Sequence, residues 1–171
     1  MNQSLERKRV IIFIDHANLF HNIENLNIRI NYLKLKDIFT NNHHLVGLFM
    51  YMGIPNKILP KKLNFLNYLK AQGFVIQPKP VIISPTGIKK QKGVDVFIYK
   101  DIVELAEDDT YDKAILVSGD SDFLDVVKKL KELKKEIEIW SFKKSISRLL
   151  IDEAGKENVH YIDNILDKIK C

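Results

Sequence analysis

Cysteine is nearly absent from this 171-residue sequence, and that absence excludes several kinds of site. The one cysteine is Cys171, so the chain can have neither an internal disulfide nor a zinc site built from several cysteines. Long apolar runs are missing too, because none approaches the ~20 residues that a membrane-spanning helix needs. The stretch from Met1 to Arg9 is polar and lacks the apolar core of a signal peptide. We therefore expect a cytoplasmic protein with no membrane partner.

The composition is typical of a soluble globular protein. Hydrophobic residues make up 46% of the chain and charged residues 29%, and the length suits one domain with its own core. No internal repeat or low-complexity linker interrupts the sequence. The net charge of +5 is mildly basic, which permits a polyanionic partner without identifying one.

Apolar runs that fit buried strands alternate with segments of helical periodicity. Strands are predicted at 9–15, 45–53, 74–83, 113–119 and 136–142, and helices at 18–26, 31–39, 58–73, 94–108, 121–135, 145–156 and 161–170. Two prolines in the third strand favour a place at the sheet edge. The alternation predicts an α/β fold of the Rossmann-like, three-layer α/β/α kind, with a central and mostly parallel sheet.

The C-terminal segment is expected to behave as an addition to the main domain. We predict a domain at 7–150 and a helical extension at 151–171. The extension carries one apolar stripe on its last helix, formed by Ile162, Ile165, Leu166 and Ile169. This stripe is expected to pack on the same domain or on a second copy, which leaves a homodimer open.

Aspartates stand just beyond two of the predicted strands. Asp15 ends the first, and Asp120 and Asp122 follow the strand that ends at Val117. Ligands of parallel sheets bind beyond the carboxyl ends of the strands, and carboxylates ~5 Å apart repel by roughly 3 kcal/mol at an effective dielectric of 20. A cation would offset that repulsion, and hard oxygen ligands suit Mg²⁺ or Mn²⁺. Asp95, which opens a helix behind a lysine-rich loop, is a further candidate ligand.

Each acid also has a simpler explanation. Asp95, Asp120 and Asp122 could all be N-terminal helix acids, favoured by the helix dipole. Asp15 is harder to explain in this way, because an acid after a wholly apolar strand lies in or near the core and needs a partner. Small residues that leave room for a ligand surround these acids, namely Ala17, Ser118, Gly119 and Ser121. Taken together, the acids favour a site.

Three stretches of the sequence resemble the NYN domain family, a branch of the PIN-like nucleases. They are IIFIDHANL, KGVDVFIYKDIVELA and YDKAILVSGDSDFLDVVKKLKELKKEIEIWSF, in the family's order and within roughly 9–142. The resemblance implies a PIN-like sheet and a ribonuclease that hydrolyses RNA with Mg²⁺ or Mn²⁺. By position it makes Asp15, Asp95 and Asp120 both metal ligands and catalytic acids, and it adds Asp122 to the catalytic cluster.

The resemblance also implies roles for nearby polar residues. Asn18 matches the family's asparagine in the first motif and would position a carboxylate, a water or a phosphate. Ser118 matches the small polar residue before Gly-Asp, and Lys92 stands at the second motif's basic position. Asp101 matches a recurrent aspartate, but its six-residue spacing from the helix-opening acid turns it off that helix face. His16 stands where the family commonly has glycine.

RNA is the partner that these residues predict. Lys89, Lys90 and Lys92 could hold phosphates beside the reacting bond, through contacts that carry no sequence information. The predicted RNA-binding set is Asn18, Lys89, Lys90, Lys92, Ser118 and Ser121. The alternative is that the lysines belong to a solvated loop without a ligand.

Three other functions compete with the nuclease. A phosphatase of the haloacid dehalogenase type needs a second Asp two positions after the first, and Ala17 stands there. A protein-interaction domain would leave the acids unexplained. A catalytically weak or inactive RNA-binding regulatory module would keep the same fold and basic loop. It remains the alternative, although the presence of all the acids favours the nuclease.

The lysine-rich loop gives the first testable prediction. Replacing Lys89, Lys90 and Lys92 together by Ala should weaken binding of single-stranded RNA and flatten its dependence on salt, because fewer counterions are released from the phosphates. Binding would be measured by fluorescence anisotropy over a range of salt concentrations. Unchanged affinity and slope would remove the loop from the RNA-binding surface.

Overall fold

The computed structural model describes the backbone of residues 7–55, 57–80, 82–83, 89–90 and 94–171, and the side chains of 7–55, 57–78 and 96–171. The strands within these ranges are β1 (Arg9–Asp15), β2 (His44–Ile54), β3 (Val75–Pro80), β4 (Ile82–Ile83), β5 (Lys89–Lys90), β6 (Lys113–Val117), β7 (Glu136–Ser141) and β8 (Val159–Tyr161). The α-helices are α1 (His16–Asn25), α2 (Tyr32–Thr40), α3 (Pro60–Ala71), α4 (Val94–Glu107), α5 (Leu124–Glu132), α6 (Arg148–Ala154) and α7 (Leu166–Ile169). None of the described helices is long and apolar enough to cross a membrane.

Six strands form one parallel sheet in the order β3-β2-β1-β6-β7-β8. Helices cover both faces, which confirms the predicted three-layer α/β/α fold. The chain runs outward from β1 to β3 on one side, then returns to β6 and runs outward on the other. The carboxyl ends of β1 and β6 therefore meet where the strand order reverses, the usual ligand-binding position of such sheets.

The central strand β1 is fixed by two hydrophobic cores. Val10, Ile12 and Ile14 pack into the core on one face of the sheet, while Ile11 and Phe13 pack into the core on the other. All five are essentially inaccessible to solvent. Burying a side chain of this size contributes about 1.5–3 kcal/mol. A shift of one residue would exchange the two faces and misfit both cores, so the register at the end of β1 is well determined.

The prolines of β3 lie at the sheet edge, as predicted. Strand β3 pairs with β2 on one side only, so Pro78 and Pro80 need not donate to a second neighbour. The lysine-rich segment predicted as a loop before α4 differs from the structure in part. Lys89 and Lys90 form β5, which pairs antiparallel with β4, and Lys92 lies outside the described residues.

The C-terminal segment is built into the same sheet and core. Val159–Tyr161, just before and at the start of the predicted terminal helix, form β8, which pairs with β7. The terminal segment itself is a 3-10 turn followed by the short α7. Its stripe is buried inside this chain, because Ile162, Ile165 and Ile169 belong to the same hydrophobic core as the buried side chains of α2. These isoleucines are therefore not free to contact a second copy.

The buried stripe generates a stability prediction. Ile169 is 0% exposed, so Ile169→Ala should lower the free energy of unfolding by about 2 to 5 kcal/mol, the usual cost of an aliphatic cavity in a core. Urea unfolding measures this change. Leu149→Ala is the matched control, because Leu149 is 60% exposed, and it should change stability by less than about 0.5 kcal/mol. Equal losses of unfolding free energy in the two variants would contradict the burial of Ile169 in the core.

Candidate active site

Asp15 is a buried carboxylate at the junction of β1 and α1. Its side chain is the N-cap of α1 and accepts the backbone N–H of Asn18 at 3.4 Å. Its other oxygen, Oδ2, accepts the hydroxyl of Ser118 at 3.0 Å. The residue is only 5% exposed. A cap on a surface helix would not need this burial, so capping accounts for one oxygen of Asp15 and leaves its environment unexplained.

Burial raises the pKa of Asp15 above its usual value. The hydrogen bonds from Ser118 and Asn18 act in the opposite direction, and the negative charge of Asp120 raises the pKa further. Asp15 and Asp120 are thus close enough to repel one another. A nearby cation would relieve both the desolvation of Asp15 and this repulsion.

The segment after β6 brings Ser118 and Asp120 to the same place. Ser118 is fully buried and bridges two parts of the site, because its hydroxyl donates to Asp15 and accepts the backbone N–H of Asp120 at 3.3 Å. Asp120 caps a 3-10 turn and accepts the N–H of Asp122 at 3.0 Å through Oδ1. Asp120 is therefore a cap, as the simpler explanation predicted. The cap uses Oδ1, so among the described contacts Oδ2 of this half-buried side chain can still accept a ligand.

Gly119 packs closely against the backbone of the segment after β7. A Cβ at this position would lie 2.7 Å from the carbonyl oxygen of Ser145 and 2.8 Å from the Cα of Ile146. Its N–H donates to Oδ1 of Asn18 at 3.3 Å, and its carbonyl accepts the N–H of Ser147 at 2.9 Å. Only glycine fits without displacing the segment after β7.

The structure brings four of the predicted site residues together: Asp15, Asn18, Ser118 and Asp120. Ser121 and Asp122 are exposed on the adjoining 3-10 turn. The backbone of Asp95 lies in the first turn of α4, but its side chain is outside the described set, as are those of Lys89, Lys90 and Lys92.

Tyr51 and Asp101 form a polar pair that sequence reasoning missed. Tyr51 pairs with Asp15 in the register of β2 and β1, and its hydroxyl donates to Oδ2 of Asp101 at 2.6 Å. Burial, together with this hydrogen bond, raises the pKa of Tyr51 well above its usual range, so the phenol remains protonated. Helix α4 packs across both strands and brings Asp101 to Tyr51. A tyrosine beside Asp15 could have been found only by knowing which strands pair.

His16 faces an aromatic cluster. Its ring stacks on Phe20 at 5.4 Å and on Tyr32 at 6.4 Å between centroids, and only 6% of the residue is exposed. Burial, aided by the charge of Lys62, lowers the pKa of His16 to about 4. The imidazole is therefore neutral near pH 7 and does not supply a proton there. Where the family commonly has glycine, the His16 side chain fills space in this aromatic cluster.

Metal-ligand groups are limited among the side chains that the structure describes. Within that set, no three His, Cys, Asp or Glu side chains form a group that could hold a metal ion. Asp15 and Asp120 are two carboxylates close enough to repel one another, and the Asp95 side chain lies outside the set. Carboxylate oxygens on such a pair are the donors that Mg²⁺ and Mn²⁺ prefer, so the residues present fit such an ion.

Comparison with known proteins identifies relatives of this fold. The model of the NYN domain family matches residues 9–162, from β1 to just past the end of β8. A protein of unknown function from Vibrio parahaemolyticus has a crystal structure with a TM-score of 0.81, at 29% identity and with 99% of both chains covered. The nicotinamidase of Staphylococcus aureus covers 78% of this chain and 81% of its own at 16% identity, and its TM-score of 0.36 supports no argument. No curated protein matches the sequence significantly.

The raised pKa of Asp15 predicts how stability depends on pH in the absence of metal. In chelator, the folded state holds the proton of Asp15 more tightly than the unfolded state, so the free energy of unfolding falls as pH rises from the unfolded pKa, ~3.9, through the folded value. The amide introduced by Asp15→Asn does not titrate. The stability of this variant relative to wild type should therefore increase with pH and then level off.

Urea unfolding in EDTA from about pH 3.5 to about pH 8 measures this difference, because that range begins below the unfolded pKa of an aspartate. Asp167→Asn is the control, because Asp167 is exposed on α7 and its loss removes one charge outside the site. A relative stability of Asp15→Asn that falls as pH rises would contradict the assigned direction of the pKa.

Proposed function

Because the chain belongs to the NYN domain family, we propose that it is a metal-dependent ribonuclease that hydrolyses the phosphodiester bonds of RNA. One observation carries the proposal. At the carboxyl ends of the two central strands, Ser118 joins the carboxylate of Asp15 to the backbone of Asp120, and the charge of Asp120 is near enough to raise the pKa of Asp15. This arrangement buries one acid and places a second charge beside it, and a bound cation would offset both costs.

Asp15 and Asp120 would hold Mg²⁺ or Mn²⁺, with Asp95 as the third ligand from the first turn of α4. When bound, such an ion lowers the pKa of its water and stabilises the charge that develops on the phosphoryl oxygens. Asp122 stands two residues after Asp120 and adds negative charge at the exposed side of the cluster.

The neighbouring hydrogen bonds orient these groups. Ser118 donates to Oδ2 of Asp15 while the N–H of Asn18 reaches Oδ1, so the carboxylate is held in one rotamer. Oδ1 of Asn18 accepts the N–H of Gly119, which leaves the amide NH₂ of Asn18 as a donor. We assign this donor to a phosphate oxygen or to the attacking water.

The alternative is an RNA-binding regulatory module with little or no turnover. It would keep the same fold and the same hydrogen bonds among Asp15, Ser118 and Asp120, with or without turnover. The two functions differ in whether RNA is cleaved, so the same experiment separates them.

Replacing each carboxylate by its amide is the test of the nuclease. Asn caps a helix about as well as Asp, so neither Asp15→Asn nor Asp120→Asn should lose the fold. Each should lower cleavage of single-stranded RNA by at least about 100-fold and weaken Mn²⁺ binding, since removing a direct ligand costs no less than removing a group that supports one. Cleavage is followed on gels, and metal binding by calorimetry.

Asp167→Asn serves as the matched control and should retain wild-type cleavage. Wild-type cleavage and metal affinity in both site variants would overturn the nuclease proposal. Binding of RNA and metal by the wild type without any cleavage would favour the regulatory module in its place.

A further inference from the structure

A basic pocket of about 690 Å³ opens beside the acidic site, on the segment between β7 and β8. Its volume lies within the usual range of ligand sites. The charged and polar lining consists of Lys143, Arg148, Asp152, Lys156 and Tyr161. Three cations and one acid give this lining a net charge of +2, which predicts an anionic ligand.

The cations of this pocket have no carboxylate partner among the described residues. Among the described residues, Lys113, Lys131 and Lys135 each form an ion pair with a carboxylate, whereas none of the three pocket cations does. Lys143 instead lies over the ring of Tyr161, 5.6 Å from its centroid. These positive charges are therefore available to a ligand.

The backbone around Lys143 is held in place. The N–H of Lys143 donates to the carboxylate of Asp163 at 2.9 Å, and the Tyr161 ring supports the ammonium group through a cation–π contact. A positively charged group that is positioned before a ligand arrives loses less conformational entropy on binding. Lys143 is exposed, and these two contacts hold its backbone and its ammonium group near the pocket before a ligand arrives.

The pocket adjoins the acidic site through Gly119. Ile146 lines the pocket, and its Cα lies so near Gly119 that a Cβ there would be 2.8 Å away. The next residue, Ser147, donates its N–H to the carbonyl of Gly119 at 2.9 Å. Since Gly119 directly precedes Asp120, the wall of the pocket and the carboxylates share one short backbone connection.

We propose that this pocket binds a phosphate of the same RNA strand, beside the phosphodiester that lies at Asp15 and Asp120; the proposal rests on the proposed function. Arg148 supplies a planar pair of donors for phosphate oxygens, and Lys143 and Lys156 supply point charges. Such contacts position the strand without reading its sequence. The pocket thereby selects a polynucleotide over a dinucleotide.

The test compares the double variant Lys143→Gln with Arg148→Gln against a matched control, Lys34→Gln with Lys168→Gln. Both remove two positive charges, but Lys34 and Lys168 are exposed on α2 and α7, which pack on the opposite face of the sheet. The charge-retaining double variant, Lys143→Arg with Arg148→Lys, separates loss of charge from loss of packing. None of these residues belongs to the acidic site.

Binding of a single-stranded RNA of about 12 nucleotides is measured in chelator over a range of salt concentrations. The Gln double variant should bind on the order of tenfold more weakly near 0.1 M salt, and the slope of log K against log salt should fall in magnitude by about 1.4, which is 0.7 for each of two lost phosphate contacts. The control should keep the wild-type slope. The charge-retaining variant should keep the wild-type slope, because it keeps both positive charges.

Cleavage with Mn²⁺ gives the second measurement. The Gln double variant should raise KM for the same RNA oligonucleotide and keep its kcat, while cleavage of a dinucleotide, too short to reach the pocket, should be unchanged. An affinity and slope equal to those of the control would overturn the proposal. Equal loss on the dinucleotide would also overturn it, since the change would then act on the acidic site.

A mononucleotide is the competing source of phosphate. Uridine monophosphate should displace the RNA oligonucleotide poorly at equal phosphate concentration, and stronger displacement would make the pocket a mononucleotide site instead. If the wild type cleaves neither RNA nor dinucleotide, the proposed function fails. The binding measurements in chelator then test by themselves whether the pocket binds RNA. Failure of the nuclease proposal is thus distinguished from failure of the pocket proposal.

Discussion

The pairing of β1 with β6 is the constraint on which the site depends. Both strands are buried on two faces, and their register places Ile14 beside Val117. The next residues along the two strands, Asp15 and Ser118, are then close enough to hydrogen-bond at 3.0 Å. The hydrophobic cores stabilise the sheet strongly enough to hold this geometry. A polar site with repelling charges can therefore persist at the carboxyl ends of its central strands.

Electrostatics and capping are combined in the same few residues. Asp15 caps α1 and Asp120 caps a 3-10 turn, yet each keeps acceptor capacity for a further ligand. The helix caps fix the direction of each carboxylate, and burial then raises the pKa of Asp15. Local structure and site chemistry are therefore not competing explanations here, because one hydrogen bond of each side chain serves the cap and the rest remain for the site.

Gly119 couples three regions that are distant in sequence. Its carbonyl accepts the N–H of Ser147, its own N–H donates to Asn18, and it precedes Asp120, so the first motif, the third motif and the segment after β7 converge at one residue. This convergence connects the acidic site to the basic pocket around Arg148. A rigid connection of this kind suits the proposed binding of one RNA strand at both sites.

Much of the fold was readable from the sequence, because apolar runs and helical periodicity are local signals. The alternation of strands and helices, the edge position of β3 with its two prolines, and Asp15 as a buried acid all followed from residue order. The sequence did not predict β8, which is only three residues long, or that Lys89 and Lys90 form a strand. Short strands carry too few residues for a periodic pattern, and their formation depends on the neighbour that supplies hydrogen bonds. The contact of Tyr51 with Asp101, the burial of His16 among aromatic rings and the basic pocket were decided by the tertiary structure alone, since each joins side chains from separate elements whose proximity depends on sheet order and helix packing.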